Sequence, residues 1–171
     1  MQYTSLNAHE DVPKSHPRIE LRGRLDSLNA QIILFQAYSE NQIYISDLEQ
    51  LRKVIRQLQR CEAEEKTFSG QLELWGYDED DIHYRSHRPE KFYVLGHILP
   101  HRDMKHEAAE INLLRTLVRD AEITACRVFH ENDTLKICHI LNRLSSALYI
   151  LIYKYLPENY DKIIAFQKTK K

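Results

Sequence analysis

Glycine is nearly absent from this chain: 171 residues contain four, where an average protein carries about 7 per cent. A many-stranded sheet draws on glycine at its tight reversals, so the scarcity points to helices. The apolar residues agree. From Pro17 onward, Leu21, Leu25, Leu28, Ile32 and Phe35 recur at helical spacing, with Ser15 expected as N-cap and Pro17 near the first position, where a missing N–H costs nothing. A second helix is expected from Ser46, which has capping-box spacing to Glu49, through Leu48, Leu51, Ile55 and Leu58 to about Lys66. A third runs from about Lys105 to Phe129, with Leu114, Leu117, Ala121, Ala125 and Val128 inward. A fourth runs from about Asp133 to Leu156, with Leu141, Leu144, Leu148, Leu151 and Tyr155 inward and Pro157 ending it. Tyr160 to Gln167 adds a short fifth. The expected fold class is all-α, a four- to five-helix antiparallel bundle forming one domain over residues 1–171.

Residues 68–104 differ in character, holding three of the four glycines, Trp75, Pro89, Pro100 and the acidic run Asp78 to Asp81. They read as a long ordered loop with a short helix around Asp80 to Ser86, too long for a mere connector in a compact domain and so expected to be either functional or flexible.

Bulk properties exclude several classes of function. A formal net charge of -1 gives no field that would recruit nucleic acid or an anionic membrane, and the basic tail Lys168 to Lys171 reads as a frayed end. The longest apolar stretch, Leu148 to Tyr153, is far short of a membrane span, and Met1 to Glu10 has no signal-peptide core, so a cytoplasmic location is expected. Cys61, Cys126 and Cys138 lie far apart with no C-x-x-C spacing and read as packed thiols. Five histidines fall between residues 83 and 106, but His97, His101 and His106 fit no standard ligand spacing and no metal site is expected. His16 and His139 read as structural.

Two helices carry polar residues beside their apolar stripes. Arg115, Arg119 and Glu122 share one face of the third helix, and Asn142, Arg143, Ser145 and Ser146 interrupt the apolar run of the fourth. Asp26 and Asn29 stand among the leucines of the first. On spacing alone, surface ion pairs and solvated flanks account for such residues as well as a site does.

Three motifs go further. Val12-Pro13-Lys14 with Arg18, followed by Gly23 and Leu25-Asp26-Ser27-Leu28-Asn29-Ala30, then Arg115-Thr116 with Arg119 and Ala121-Glu122, then Leu141-Asn142-Arg143-Leu144-Ser145, resemble in order and spacing the ATP:cob(I)alamin adenosyltransferases. Asp78 to His83, Ser86-His87, Leu99-Pro100, Asn112 to Thr116 and Asn142 to Ser146 are most similar to the ethanolamine-utilisation branch. That branch often has an N-terminal metal-binding domain. The sequence lacks that segment, and no zinc or iron is expected from it.

The resemblance implies transfer of the 5′-deoxyadenosyl group of ATP to cob(I)alamin, with Mg2+ as a further cofactor and adenosylcobalamin and triphosphate as products. It implies Lys14, Arg18, Asn29, Glu122, Asn142 and Arg143 around ATP and its metal, with Arg119 as the main triphosphate ligand. Asp26 would pair with Arg115 across a subunit contact in a homo-oligomer, a trimer before a dimer. Phe92, Tyr93 or His97 would cover the lower face of the corrin. A cob(II)alamin reductase, a cobalamin-dependent ethanolamine ammonia-lyase and a bacterial microcompartment are the associations it implies. The chain departs from the family pattern at Asp120 and Ile123, which replace arginines, at Ser146, which replaces aspartate, and in lacking the N-terminal glycine-containing phosphate loop. A non-catalytic corrinoid-binding or structural bundle is the alternative reading.

Overall fold

The protein is described by a computed structural model covering residues 2–7, 9–129 and 132–168. It opens on a two-stranded antiparallel hairpin, β1 (Tyr3–Asn7) and β2 (Glu10–Pro13), paired Tyr3 to Pro13, Thr4 to Val12 and Ser5 to Asp11. The hairpin was not anticipated from the sequence. It is anchored by burial of Leu6 and Val12, and the Lys14 N–H extends it by donating to the carbonyl of Gln2 at 2.9 Å.

Four long helices follow. α1 (Pro17–Tyr38) has Pro17 in its first turn as expected, but its N-cap is His16, whose Nδ1 accepts from the Arg18 N–H at 3.2 Å, and not Ser15. α2 (Gln42–Glu64) starts a turn before Ser46 because the Asn41 side-chain oxygen accepts from the N–H groups of Ile43 (3.1 Å) and Tyr44 (3.3 Å). It ends where Glu65 turns left-handed at φ 54°. The short α3 (Glu79–His87) is capped by Asp78, which accepts from the Asp81 N–H at 2.9 Å. α4 (Lys105–Val128) and α5 (Ile137–Tyr155) complete the bundle, and α6 (Tyr160–Lys168) closes the described chain. Asp133 lies outside α5 and caps it, accepting from the N–H groups of Ile137 (2.8 Å) and His139 (3.0 Å).

The contacts fix the helix directions. α4 packs most extensively on α5 and then on α1, while α2 meets α1 and α5. Arg24 near the start of α1 pairs with Asp120 near the end of α4, whereas Tyr44 and Glu110, bonded at 2.7 Å, are both near the starts of α2 and α4. Every neighbouring pair of long helices is therefore antiparallel, and the diagonal pair α2 and α4 runs parallel. Residues 65–104 must then climb the whole bundle, roughly 35 Å for a helix of this length. This is what the long loop is for. Phe68, Leu72, Leu74 and Ile82 are buried along the climb, and a tight turn between Leu74 and Tyr77 uses positive φ at Trp75 (55°) and Gly76 (80°). The Trp75 indole N–H donates to the Asp47 carbonyl at 3.1 Å. The core comprises the expected leucines of α1, α2 and α5, with Tyr44 fully enclosed among them, whereas on α4 Ile111 and Val118 join Leu114, Ala121 and Ala125 inside and the expected Leu117 and Val128 are only partly buried.

Candidate functional site

The face of α4 that turns toward α5 and solvent gathers the charged residues singled out in the sequence. Arg115 is half-buried, and its Nε donates to Asn112 Oδ1 at 3.2 Å. Burial and the nearby Arg119 push its pKa below the ordinary arginine value, the mark of a cation without a carboxylate. Arg119 is exposed one turn further on and makes no hydrogen bond or ion pair among the described residues. Glu122 accepts from Asn142 Nδ2 of α5 at 2.9 Å, which ties the two helices together at the level of the arginines. Arg143 reaches α3, where its NH1 meets His83 Nδ1 at 3.1 Å. Desolvation, His87 and Arg143 together hold the His83 pKa below its usual value. Asp120 turns aside to Arg24 on α1. The result is two guanidinium groups one turn apart, neither in an ion pair among the described residues, with a carboxylate and an amide fixed beside them, an arrangement that can hold an anion with several oxygens.

The residues expected from α1 lie elsewhere. The side chain of Lys14 is exposed at the end of the hairpin. Arg18, expected among the ATP ligands, is occupied: its Nε and NH1 meet Glu62 (2.6 Å) and Glu65 (2.5 Å). Burial opposes its charge, but the hydrogen bonds it donates to Glu65 and Glu62 prevail and raise its pKa. Asp26 accepts from Gln59 of α2 at 2.6 Å. Asn29 shares its stripe of α1 with Arg22 and Gln36, both of which reach α2, and its buried Oδ1 has no partner. Asp26 and Asn29 thus face α2, whereas Arg115 lies within electrostatic reach of Tyr149 on α5. Asp26 and Arg115 are not partners within one chain.

The three residues expected at the corrin are divided by packing. Tyr93 is stacked flat on Tyr153 at 3.8 Å between ring centres. Phe92 remains 37% exposed, with the Arg85 guanidinium 4.4 Å above its ring. His97 Nδ1 lies 3.4 Å from the hydroxyl of Tyr149, which also accepts from the Ile98 N–H at 3.1 Å. Tyr149 therefore connects the crossover to the Arg115 end of the cluster. It and His83 are the two residues to which sequence reasoning gave no role. Tyr149 sits two turns after Asn142 on one helical face, a spacing that could have revealed it.

His139 bonds Glu79 at 2.7 Å and joins α5 to α3, a structural role as expected. The cysteines do not all fit the reading as packed thiols: Cys61 is buried and Cys138 half-buried, but Cys126 is exposed. Burial, Asp133 and Cys126 push the Cys138 thiol up to about 12. Among the described residues no group of three or more His, Cys, Asp or Glu could hold a metal ion, and no helix is long and apolar enough to cross a membrane.

Comparison with known proteins completes the description. The family model of the cobalamin adenosyltransferases matches residues 2–155. The corrinoid adenosyltransferase EutT of Salmonella typhimurium is 33% identical over 155 residues, 87% of this chain and 57% of that protein. Its counterpart from Escherichia coli K12 is 32% identical over the same shares. The chain thus spans little more than half the length of these relatives. Among solved structures, a phenylalanine-to-histidine variant of the PduO-type ATP:corrinoid adenosyltransferase from Lactobacillus reuteri, complexed with cobalamin and ATP, superimposes with a TM-score of 0.66 at 20% identity, over 90% of this chain and 83% of that one. An arginine-to-lysine variant of the same type, complexed with ATP, gives 0.66 at 20% identity over 94% and 90%. At these identities the structural likeness speaks for the fold.

Proposed function

Since the chain belongs to the cobalamin adenosyltransferase family, we propose that it transfers the 5′-deoxyadenosyl group of ATP to the cobalt of cob(I)alamin. The cobalt electron pair attacks C5′, the C5′–O bond breaks, and its electrons leave on triphosphate, giving adenosylcobalamin. The observation that carries this reading is the unneutralised pair Arg115 and Arg119 beside the Glu122–Asn142 hydrogen bond. Such a pair stabilises the negative charge that gathers on the leaving triphosphate, an effect that is strongest where water is excluded. Asn142 and Glu122 would orient the nucleotide, and Arg143 would add positive charge from the α5 side. Mg2+ would arrive on the phosphates of ATP, with Glu122 as the carboxylate nearest to it. Phe92 or His97 would face the corrin, and Tyr93 would support them from its stack on Tyr153.

Catalysis would need more than one subunit. Asp26 and Asn29 occupy the α1–α2 flank, Lys14 the end of the hairpin before α1, and Arg115 to Glu122 the α4–α5 flank, so a second copy is required to bring Asp26 to Arg115. Ile33, Leu34, Leu113 and Ile123 are large apolar side chains left exposed on α1 and α4, and they support a homo-oligomer, a trimer before a dimer. An ethanolamine ammonia-lyase as consumer, a cob(II)alamin reductase as supplier and a microcompartment as setting go with the likeness to EutT.

The test is to mix purified protein with ATP and chemically reduced cobalamin and follow the Co(I) absorbance. Loss of that absorbance with formation of adenosylcobalamin is expected. A protein that retains corrinoid but forms no product is the non-catalytic bundle. Light scattering that shows a monomer at micromolar concentration counts against the shared site.

A further inference from the structure

Outside the α4–α5 cluster, a second gathering of positive charge lies on α2. Lys53, Arg56, Gln57 and Arg60 follow one another at i, i+3, i+4 and i+7 and so share one outward face. The start of the crossover folds back against this face. Gln57 Nε2 donates to the Ser69 carbonyl at 3.0 Å, and Thr67 Oγ1 donates to the Thr134 carbonyl at 2.9 Å, so the segment after α2 is pinned at both its neighbours. Between helix and segment is a cleft of about 530 Å³ lined by Lys53, Arg56, Gln57, Arg60, Lys66 and Thr67 together with Glu64. Glu64, the one carboxylate there, is bonded to Lys66 at 2.8 Å. Among the described residues Lys53, Arg56 and Arg60 form no ion pair, although Lys53 and Arg60 lie within electrostatic reach of Glu49 and Glu64, one helical turn away.

We propose that this cleft binds a small oligophosphate anion. A chain whose net charge is -1 gathers Lys53, Arg56, Arg60 and Lys66 around one concavity whose lining holds a single carboxylate, Glu64, an excess of positive charge that an entering anion would offset. Two of them are arginines one turn apart, whose planar forks suit phosphate oxygens. The Gln57 and Thr67 side chains add neutral polar groups to the wall. Concavity and small size fit a compact anion better than the flat surface on which a protein partner docks. Within one chain the cleft lies apart from Arg115 and Arg119, because α2 and α4 are diagonal in the bundle.

The test is calorimetric titration of the full chain with inorganic tripolyphosphate in the absence of ATP, at low and at physiological salt. The Arg56→Gln/Arg60→Gln double variant, whose changes are on exposed side chains, is expected to lose or loosen by at least about tenfold a class of binding that Arg119→Ala leaves intact, with the difference shrinking as salt rises. Binding lost in Arg119→Ala and kept in the double variant would assign the anion to the α4–α5 cluster and overturn the proposal. Equal affinity for sulfate would make the cleft a general counter-ion surface and overturn it also. So would a cleft that ignores tripolyphosphate and takes up a polyglutamate peptide, the sign of an acidic protein partner. Failure of the adenosyl-transfer reading alone removes only the Arg119-dependent binding and leaves the Arg56 and Arg60 result in place.

Discussion

Arg18 and Arg22 on α1, and Arg115 and Arg119 on α4, are two arginine pairs of the same helical spacing that meet opposite circumstances. The first closes on Glu62, whose side chain is 1% exposed and takes Arg18 at 2.6 Å and Arg22 at 2.5 Å. The second forms no ion pair among the described residues. The α1 pair is a staple that holds the start of α1 to the end of α2. The α4 pair is charge kept for something that arrives from outside. Spacing along a helix does not separate the two cases; what separates them is whether the neighbouring helix presents an anion at the same height.

The largest effect expected from this contrast is at Glu62. Glu62→Ala leaves two partly buried guanidinium groups without their shared anion and should cost about 3 kcal/mol of stability. For a domain of this size that is a fall in melting temperature of roughly 6–12 °C, read by calorimetry. A change under about 1 kcal/mol, the range of exposed pairs, would place the α1 staple in the same class as a solvated surface bridge.

Arg119 should behave the other way. Arg119→Ala removes an exposed side chain without partners and should leave the melting temperature nearly unchanged, while adenosylcobalamin formation falls about a hundredfold, on the order of 3 kcal/mol. A rate within about threefold of the parent, roughly 0.6 kcal/mol, would take Arg119 out of the site. Arg119→Lys retains the charge and loses the fork, so a fall of about tenfold is expected. Full activity in the lysine variant would show that the charge alone is needed there.

The bundle was legible because each long helix repeats its leucines over four or more turns, and a signal of that length survives local irregularity. The hairpin was not. Leu6 and Val12 are one buried side chain per strand, too few for alternation to register, and the reversal between Asn7 and Glu10 contains no glycine. The start of α2 was misplaced because Ser46 and Glu49 have capping-box spacing, while the true cap, Asn41, precedes an exposed Ile43 and a tyrosine, Tyr44, that proved to be core. The cluster of Arg115, Arg119 and Glu122 could be read from periodicity, since it needs only one helix. The placement of Asp26 and Asn29 against α2, and the meeting of Cys126 with Cys138, needed the packing of two helices. Such facts depend on which helices are neighbours, and the sequence pattern is silent on that.

The smallest expected effect is the most specific to this chain. Asp120 stands where the family pattern has a second arginine, and it pairs with Arg24, the two side chains being 45% and 38% exposed. An ion pair that open to solvent contributes at most about 1 kcal/mol, so Asp120→Asn should scarcely alter stability. Its effect on the site should be the larger one, because the carboxylate is the residue next to Arg119 and repels whatever anion Arg119 holds. Arg24 cancels part of that repulsion, and salt screens the rest within about 10 Å. The expected result is therefore modest: the KM for ATP falls about two- to threefold at low ionic strength, kcat is little changed, and the gain disappears in high salt. An unchanged KM at low salt would mean that Arg24 neutralises Asp120 completely, and that the site depends on Arg115 and Arg119 without interference from α1.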